Sequence, residues 1–190
     1  EESALFAIAR IADGGMRDAL SILDQCLGLC EDTLEEKNVY RVTGTISREA
    51  ILTLFEHSLN QDVPQVLGCL DEAIADGFDP EKMIEDMISG CRDLLMIKRA
   101  PSMVEAGLDL NHKSQELARD TSGHTLLKML DMLISYQSQM KWTPYPRIFL
   151  EMVLIRLCSS TEKQEEVVEL EKRITSLEKL VKSLGNAAKH

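Results

Sequence analysis

The sequence predicts an all-α fold, on three observations. No run keeps the period-two alternation of a half-buried strand, whereas apolar residues recur at spacings of three and four along most of the chain. Asp, Ser or Thr caps and Gly or Pro stops punctuate those runs at helix-length intervals. Only 4% of residues are aromatic in a chain that is 44% hydrophobic, so Leu, Ile, Met and Ala, mostly good helix formers, must build the core. A length of 190 residues suits one or two domains.

The opening EESALFAIARIADGG is helical in pattern, with Leu5, Ile8, Ala9 and Ala12 on one stripe and Gly14 as a stop. It starts without a methionine and reads as a cut edge. Met16, Leu20, Leu23 and Leu27 predict a packed helix of about three turns. Thr33 as N-cap with Glu36 at N3 predicts a third helix from Leu34 to about Val42, ended by TGT. Ser47 caps a fourth, whose inner face is Ala50, Ile51, Leu54, Phe55 and Ser58.

Asp62 with Pro64 opens a fifth helix, with Val66, Leu67, Leu70, Ala73 and Ile74 inward and Gly77 at its end. Asp79 and Pro80 repeat the device for a long sixth helix, from Met83 past Leu95, closed by Pro101. Residues 101–111 read as a linker or short helix, and Asn111 or Ser114 as the cap of a short stretch before Thr121. Thr125 to Gln139 and Pro146 to Cys158 are two hydrophobic helices joined by KWTPYP.

Residues 161–185 differ. Val167, Ile174 and Val181 at a positions and Leu170, Leu177 and Leu184 at d positions make a heptad stripe of the type that favours two-stranded parallel coils. At under three heptads it is marginal alone. Packing on a neighbour, pairing between subunits and stabilisation within a longer chain all remain open for it. Residues 186–190 read as a flexible tail.

The formal net charge of -11 argues against a direct nucleic-acid or anionic-membrane binder, since both need clustered Lys and Arg. From Thr161 onward six acidic and six basic groups cancel, so the whole excess lies in residues 1–160. Cys26, Cys30, Cys69, Cys91 and Cys158 form no CxxC pair and no zinc spacing with the dispersed histidines. They read as free thiols of a cytoplasmic protein. The most apolar run, Ile148 to Leu157, is too short to span a membrane and is broken by Glu151 and Arg156. No secretory signal opens the chain.

The catalytic inventory is thin. Glu81 with Glu85 and Asp18 with Asp24 are better read as solvated helix faces than as acid-base pairs. No GxSxG and no GxxxxGK is present. Trp142 and Tyr145 either anchor a partner or close an internal turn. Surplus apolar surface around Met83 to Leu95, Leu126 to Ile134 and Ile148 to Leu157 serves mainly the core, with a share left for contacts between subunits.

One segment stands out: ADGGMRDALSILDQ, residues 12–25. Arg17 follows a glycine pair in the first turn of a helix, where amide groups already favour an anion, so its guanidinium could reach a phosphate presented by another domain. Asp18 is placed to cap that turn or orient Arg17. The competing reading is an ordinary ion pair with a nearby carboxylate.

That segment resembles sensor 2, usually written ADGSMRDALSLLDQ, in the helical lid of the AAA+ clamp-loader ATPases of the bacterial DNA polymerase III tau/gamma subunit family. The likeness continues through NVYRVTGTISREAILTLFEHSLNQDVPQVLGCLDEAIADGFDPEKMIEDMISGCRDLLMIKRA, residues 38–100, and by helical pattern to about residue 160. Gly15 replaces the usual serine, a mild departure that loosens the helix start. The resemblance implies a lid remnant over residues 1–44 and a collar, or oligomerisation, domain over 45–160. It also implies that Arg17 contacts the terminal phosphates of ATP held between the lid and a nucleotide-binding domain.

ATP and Mg are thus expected cofactors of the full protein, loading a sliding clamp on primed DNA. Lacking a phosphate-binding loop and an arginine finger, residues 1–190 alone are expected to hold no cofactor and to be inactive. The implied partners are like subunits and delta-type clamp-loader subunits through the collar. An adaptor that binds the replicative helicase is the alternative.

Overall fold

A computed structural model describes residues 1–28, 33–101 and 112–159. The heptad segment 161–185, the tail and nearly all of the 101–111 linker lie outside the described residues. Every regular element among the described residues is an α-helix. None of these helices is long and apolar enough to cross a membrane.

Three helices form a first layer: α1 (Glu2–Ile11), α2 (Met16–Leu27) and α3 (Glu36–Thr43). They share a small core of Ala4, Ala7, Ile8, Cys26, Val39 and Tyr40. Alanines at two contact positions let the backbones come close, and Tyr40 fills the remaining space. The Tyr40 hydroxyl donates to Glu36 (2.5 Å) and accepts from Arg10, whose guanidinium also lies over the ring. That chain of contacts ties α1 to α3. Burial, aided by Glu36, pushes the Tyr40 phenol up to about 12.

The inner faces of α1 and α2 differ from the predicted stripes. On α1, Ile8 and Ala12 are buried as expected, but Leu5 is 57% exposed and Ala9 points outward, with Ala4 and Ala7 inward instead. On α2, Met16 (75%), Leu20 (54%) and Leu27 (56%) face solvent, and Ala19, Ile22, Leu23 and Cys26 pack inward. Both helices carry two adjacent apolar stripes, and the tight three-helix contact selects the one with smaller side chains. The start of α3 also moves. Glu35, not Thr33, is the N-cap, because the Asn38 side chain reaches back to accept the Glu35 amide (3.0 Å).

The second layer is a bundle: α4 (Arg48–Leu59), α5 (Val63–Ala75), α6 (Pro80–Arg99), α7 (His112–Asp120), α8 (Gly123–Met140) and α9, helical over residues 146–159. Its caps follow the sequence. Ser47 Oγ accepts the Ala50 amide (3.2 Å), Asp62 accepts Gln65 (3.2 Å) and Asp79 accepts Glu81 (2.9 Å). Ser122 caps α8 by accepting the Thr125 amide (3.0 Å), so that helix starts two residues before the expected Thr125. Ser114 lies buried inside α7 and is no cap.

α6 is the axis of the bundle, packed by α4, α7 and α8. At Gly90 the approach of α4 is so close that a Cβ would stand 2.8 Å from Ile51 Cγ2 and 3.3 Å from Phe55 Cε2. One helical turn on, buried Asp93 accepts from Arg48 Nη1 at 2.5 Å, again joining α6 to α4. Tyr136 and Phe149 meet edge to face at 5.8 Å between α8 and α9, and Arg147 bridges α9 to Asp71 of α5 (2.7 Å).

The two layers meet through residues 44–47 and the start of α6. Gly44 adopts φ +69 at the end of α3, a conformation costly for a residue with a Cβ. The Asp79 amide donates to its carbonyl (3.2 Å), Lys82 Nζ donates to the Thr43 carbonyl, and Asp86 accepts the Ile46 amide (2.9 Å). Phe78 packs against both cores.

Two outcomes are expected. Gly90→Ala forces α4 and α6 apart and should cost about 1–3 kcal/mol in denaturant melts. Burial raises the Asp86 carboxyl to about 6, only partly offset by the Ile46 amide. Its folded pKa lies above the unfolded value near 4, so folding takes up a proton between the two, and stability from this group declines as pH rises from about 4 to 6. Asp86→Asn, which keeps an acceptor for Ile46, should therefore raise stability at pH 7 by about 1–2 kcal/mol, with the difference fading toward pH 4.

Candidate functional site

Arg17 is the second residue of α2, placed by the turn that joins α1 to α2. Asp13 (φ 45) and Gly14 (φ +82) reverse the chain, and the Gly15 amide closes the turn on the Ala12 carbonyl (2.8 Å). Gly15 then serves as N-cap with an extended backbone and no side-chain bond, so the first amides of α2 stay open. The Asp18 carboxylate folds back over this start: a Cβ on Gly15 would lie 2.7 Å from Asp18 Oδ2. It therefore leans toward the cap and makes no hydrogen bond to Arg17.

The Arg17 side chain is exposed and has no ion-pair partner among the described residues. The ordinary ion-pair reading of this residue is thus not what the structure contains. Met16 and Leu20 flank it, both exposed, and Leu5 (57%) and Phe6 (69%) add exposed apolar surface on the neighbouring α1. A free guanidinium at an open helix N-terminus, with exposed apolar side chains on the same helix, can hold phosphate oxygens once another surface covers that helix start. Periodicity places Met16, Leu20 and Leu27 in the core, whereas all three are exposed.

The other candidates remain ordinary. Glu81, Glu85, Asp18 and Asp24 are exposed. No group of three His, Cys, Asp or Glu among the described residues could hold a metal ion. Cys69, Cys91 and Cys158 are in no disulfide, Cys26 is buried, and burial pushes the Cys91 thiol up to about 12, which suppresses its reactivity. Trp142 (87%) and Tyr145 (66%) point into solvent, so the internal-turn reading of that segment fails. Among the described residues, the aromatic pair in contact is Tyr136 with Phe149, in the helices on either side of that turn.

A family model described as DNA polymerase III subunits gamma and tau domain III matches residues 34–172. The chain belongs to the DNA polymerase III gamma/tau subunit family. A second model, the ATPase lid domain of the DNA polymerase III clamp loader subunit, matches residues 1–32. The chain is 37% identical to the DNA polymerase III subunit tau of Bacillus subtilis over 190 residues, covering 97% of this chain and 34% of that protein. It is 27% identical to the subunit tau of Salmonella typhimurium, covering 82% and 24%. With the subunit gamma/tau of Mycobacterium bovis it shares 25%, covering 88% and 30%. The chain thus spans about a third or less of the length of these curated relatives.

The fold is accordingly that of a gamma/tau lid followed by a collar bundle. α3 is informative here: it falls within the residues matched to domain III, yet it packs on α1 and α2. The packing units and the family units therefore divide at different places.

Since Arg17 is exposed and makes no hydrogen bond or ion pair among the described residues, Arg17→Ala should change stability by less than about 0.5 kcal/mol. Equal thermal midpoints of the two proteins would check this; a large loss would mean that Arg17 holds the fold.

Proposed function

We propose that residues 1–190 are the lid-and-collar module of a clamp-loader ATPase subunit. Residues 1–44 form the lid unit, residues 45–160 the collar, and 161–185 a heptad appendage ahead of the tail 186–190. The observation that carries this reading is the exposed, unpaired Arg17 at the open start of α2, beside exposed Met16 and Leu20. A nucleotide-binding domain seated on exposed Met16 and Leu20 would cover that helix start and bring the terminal phosphates of ATP to the guanidinium. The open amides at the start of α2 suit the same oxygens.

The donor set fits the phosphates of ATP and not its magnesium, since the described residues offer no cluster of carboxylates. Bound ATP would supply the hydrolysable bond that drives loading of a sliding clamp on primed DNA. The part of this chain is to orient the phosphate end and to link the lid to the collar. The collar contributes assembly with like subunits and delta-type subunits, and exposed Leu127, Ile134, Ile148 and Ile155 are the apolar positions available for it.

A second reading, an adaptor for the replicative helicase, is favoured by one observation. Trp142 and Tyr145 stand out from the α8–α9 turn, and exposed aromatic residues of this kind anchor many interfaces.

Residues 1–190 alone should neither hydrolyse ATP nor bind it at micromolar concentration, as read by phosphate release and nucleotide titration. In a chain that includes the nucleotide-binding domain, Arg17→Ala should reduce hydrolysis by about 10²-fold, in line with loss of one charge-stabilising donor. Unchanged hydrolysis would refute the sensor role. Light scattering of residues 1–190 and 1–160 should show oligomers that persist without the heptad segment. Monomers in both would count against the collar, and helicase co-elution lost in Trp142→Ala would favour the adaptor.

A further inference from the structure

The open start of α2 already has an anion beside it. Asp18 lies in the first turn of that helix, and its exposed carboxylate turns back so far that a Cβ on Gly15 would stand 2.7 Å from Oδ2 and 3.4 Å from Cγ. Only a residue without a side chain at position 15 leaves that space. No bond holds the carboxylate there: Asp18 makes no hydrogen bond or ion pair among the described residues.

Two ordinary explanations of this placement fail. An acidic side chain at that position of a helix often accepts the amide of the N-cap residue, but the Gly15 amide is spent on the Ala12 carbonyl (2.8 Å). Nor does the carboxylate neutralise Arg17, with which it forms no bond, successive residues of a helix being turned about 100° apart. What remains is the field of the helix start, where the first amides of α2 lie open and favour negative charge. The same amides suit phosphate oxygens. Asp18 and a phosphate therefore draw on one set of donors, and they repel each other.

We infer that Asp18 tunes the Arg17 site by occupying, as a tethered anion, the helix start that the terminal phosphates would approach. The inference rests on the reading of Arg17 as a phosphate contact. Arg17 attracts the phosphates and Asp18 opposes them, so nucleotide is held more weakly than one guanidinium at an open helix start would hold it. Gly15 keeps the opposition strong, because it lets the carboxylate lie directly over the cap. A methyl group there would push the carboxylate aside. The extended backbone of Gly15 (φ -78) suits alanine, and the other close neighbour of the methyl, the Ala12 carbonyl at 3.1 Å, would need only a small adjustment.

Nucleotide titration of a chain that includes the nucleotide-binding domain tests it. Asp18→Asn keeps the shape of the side chain and removes its charge, and should bind ATP about tenfold more tightly, as expected when one like charge leaves the neighbourhood of a phosphate. Gly15→Ala keeps the charge and displaces it, and should gain about threefold by the same reasoning. Adenosine, which carries no phosphate, should compete equally well in both variants and the parent. Unchanged or weaker ATP binding in either variant, with Arg17→Ala weakening it, would overturn the inference and leave the reading of Arg17 standing. ATP binding and hydrolysis unchanged in Arg17→Ala would instead overturn that reading, and the inference with it. A gain for adenosine equal to the gain for ATP would also refute the role of Asp18, since a reshaped lid and not a removed charge explains that result.

Discussion

The close approach of α4 to α6 is the constraint on which the rest of this structure depends. A glycine at position 90 lets Ile51 and Phe55 lie against the α6 backbone, and the Arg48–Asp93 pair pins the same two helices a turn away. With α4 fixed there, its capped start at Ser47 lies beside the first turns of α6, within reach of Asp79, Lys82 and Asp86. Those residues then hold the segment 43–46 from which the lid hangs. One helix thus organises the collar core through its later half and sets the position of the lid through its beginning.

Polar groups do different work in the two places. In the collar, the Arg48–Asp93 pair is nearly enclosed, and its value lies in specifying how α4 and α6 are aligned more than in net stability. At the joint, Asp86 is kept ionised at neutral pH against the cost of partial burial, because its carboxylate accepts the Ile46 amide. Exposed pairs such as Arg119 with Asp120 add little. The acidic surplus of the chain is therefore mostly a solvated surface.

The lid shows how a sequence can mislead about which face is inside. Met16, Leu20, Leu23 and Leu27 form a regular stripe, and so does the neighbouring set Ala19, Ile22, Leu23 and Cys26. Spacing gives both equal standing. Three short helices sharing Tyr40 bury the second set, in which Ala19 and Cys26 allow close packing, and leave Met16, Leu20 and Leu27 outside. The one hint was compositional: leucine and methionine on both sides of an arginine make more apolar surface than a three-helix layer can bury. The collar was read more closely because Ser47, Asp62 and Asp79 cap their helices by local bonds that need no tertiary context.

The sequence by itself determined the helical class, most helix boundaries, the inward faces of α4 to α6, and the likeness of residues 12–25 that singled out Arg17. These rest on short-range chemistry: periodicity, side-chain caps, and residues that stop a helix. Only the tertiary structure decided that Arg17 stands unpaired, that α3 packs with the first two helices, and that Trp142 and Tyr145 face water. Each depends on which surfaces meet across long stretches of chain, and two stripes of equal hydrophobicity are told apart only by the shape of what packs against them.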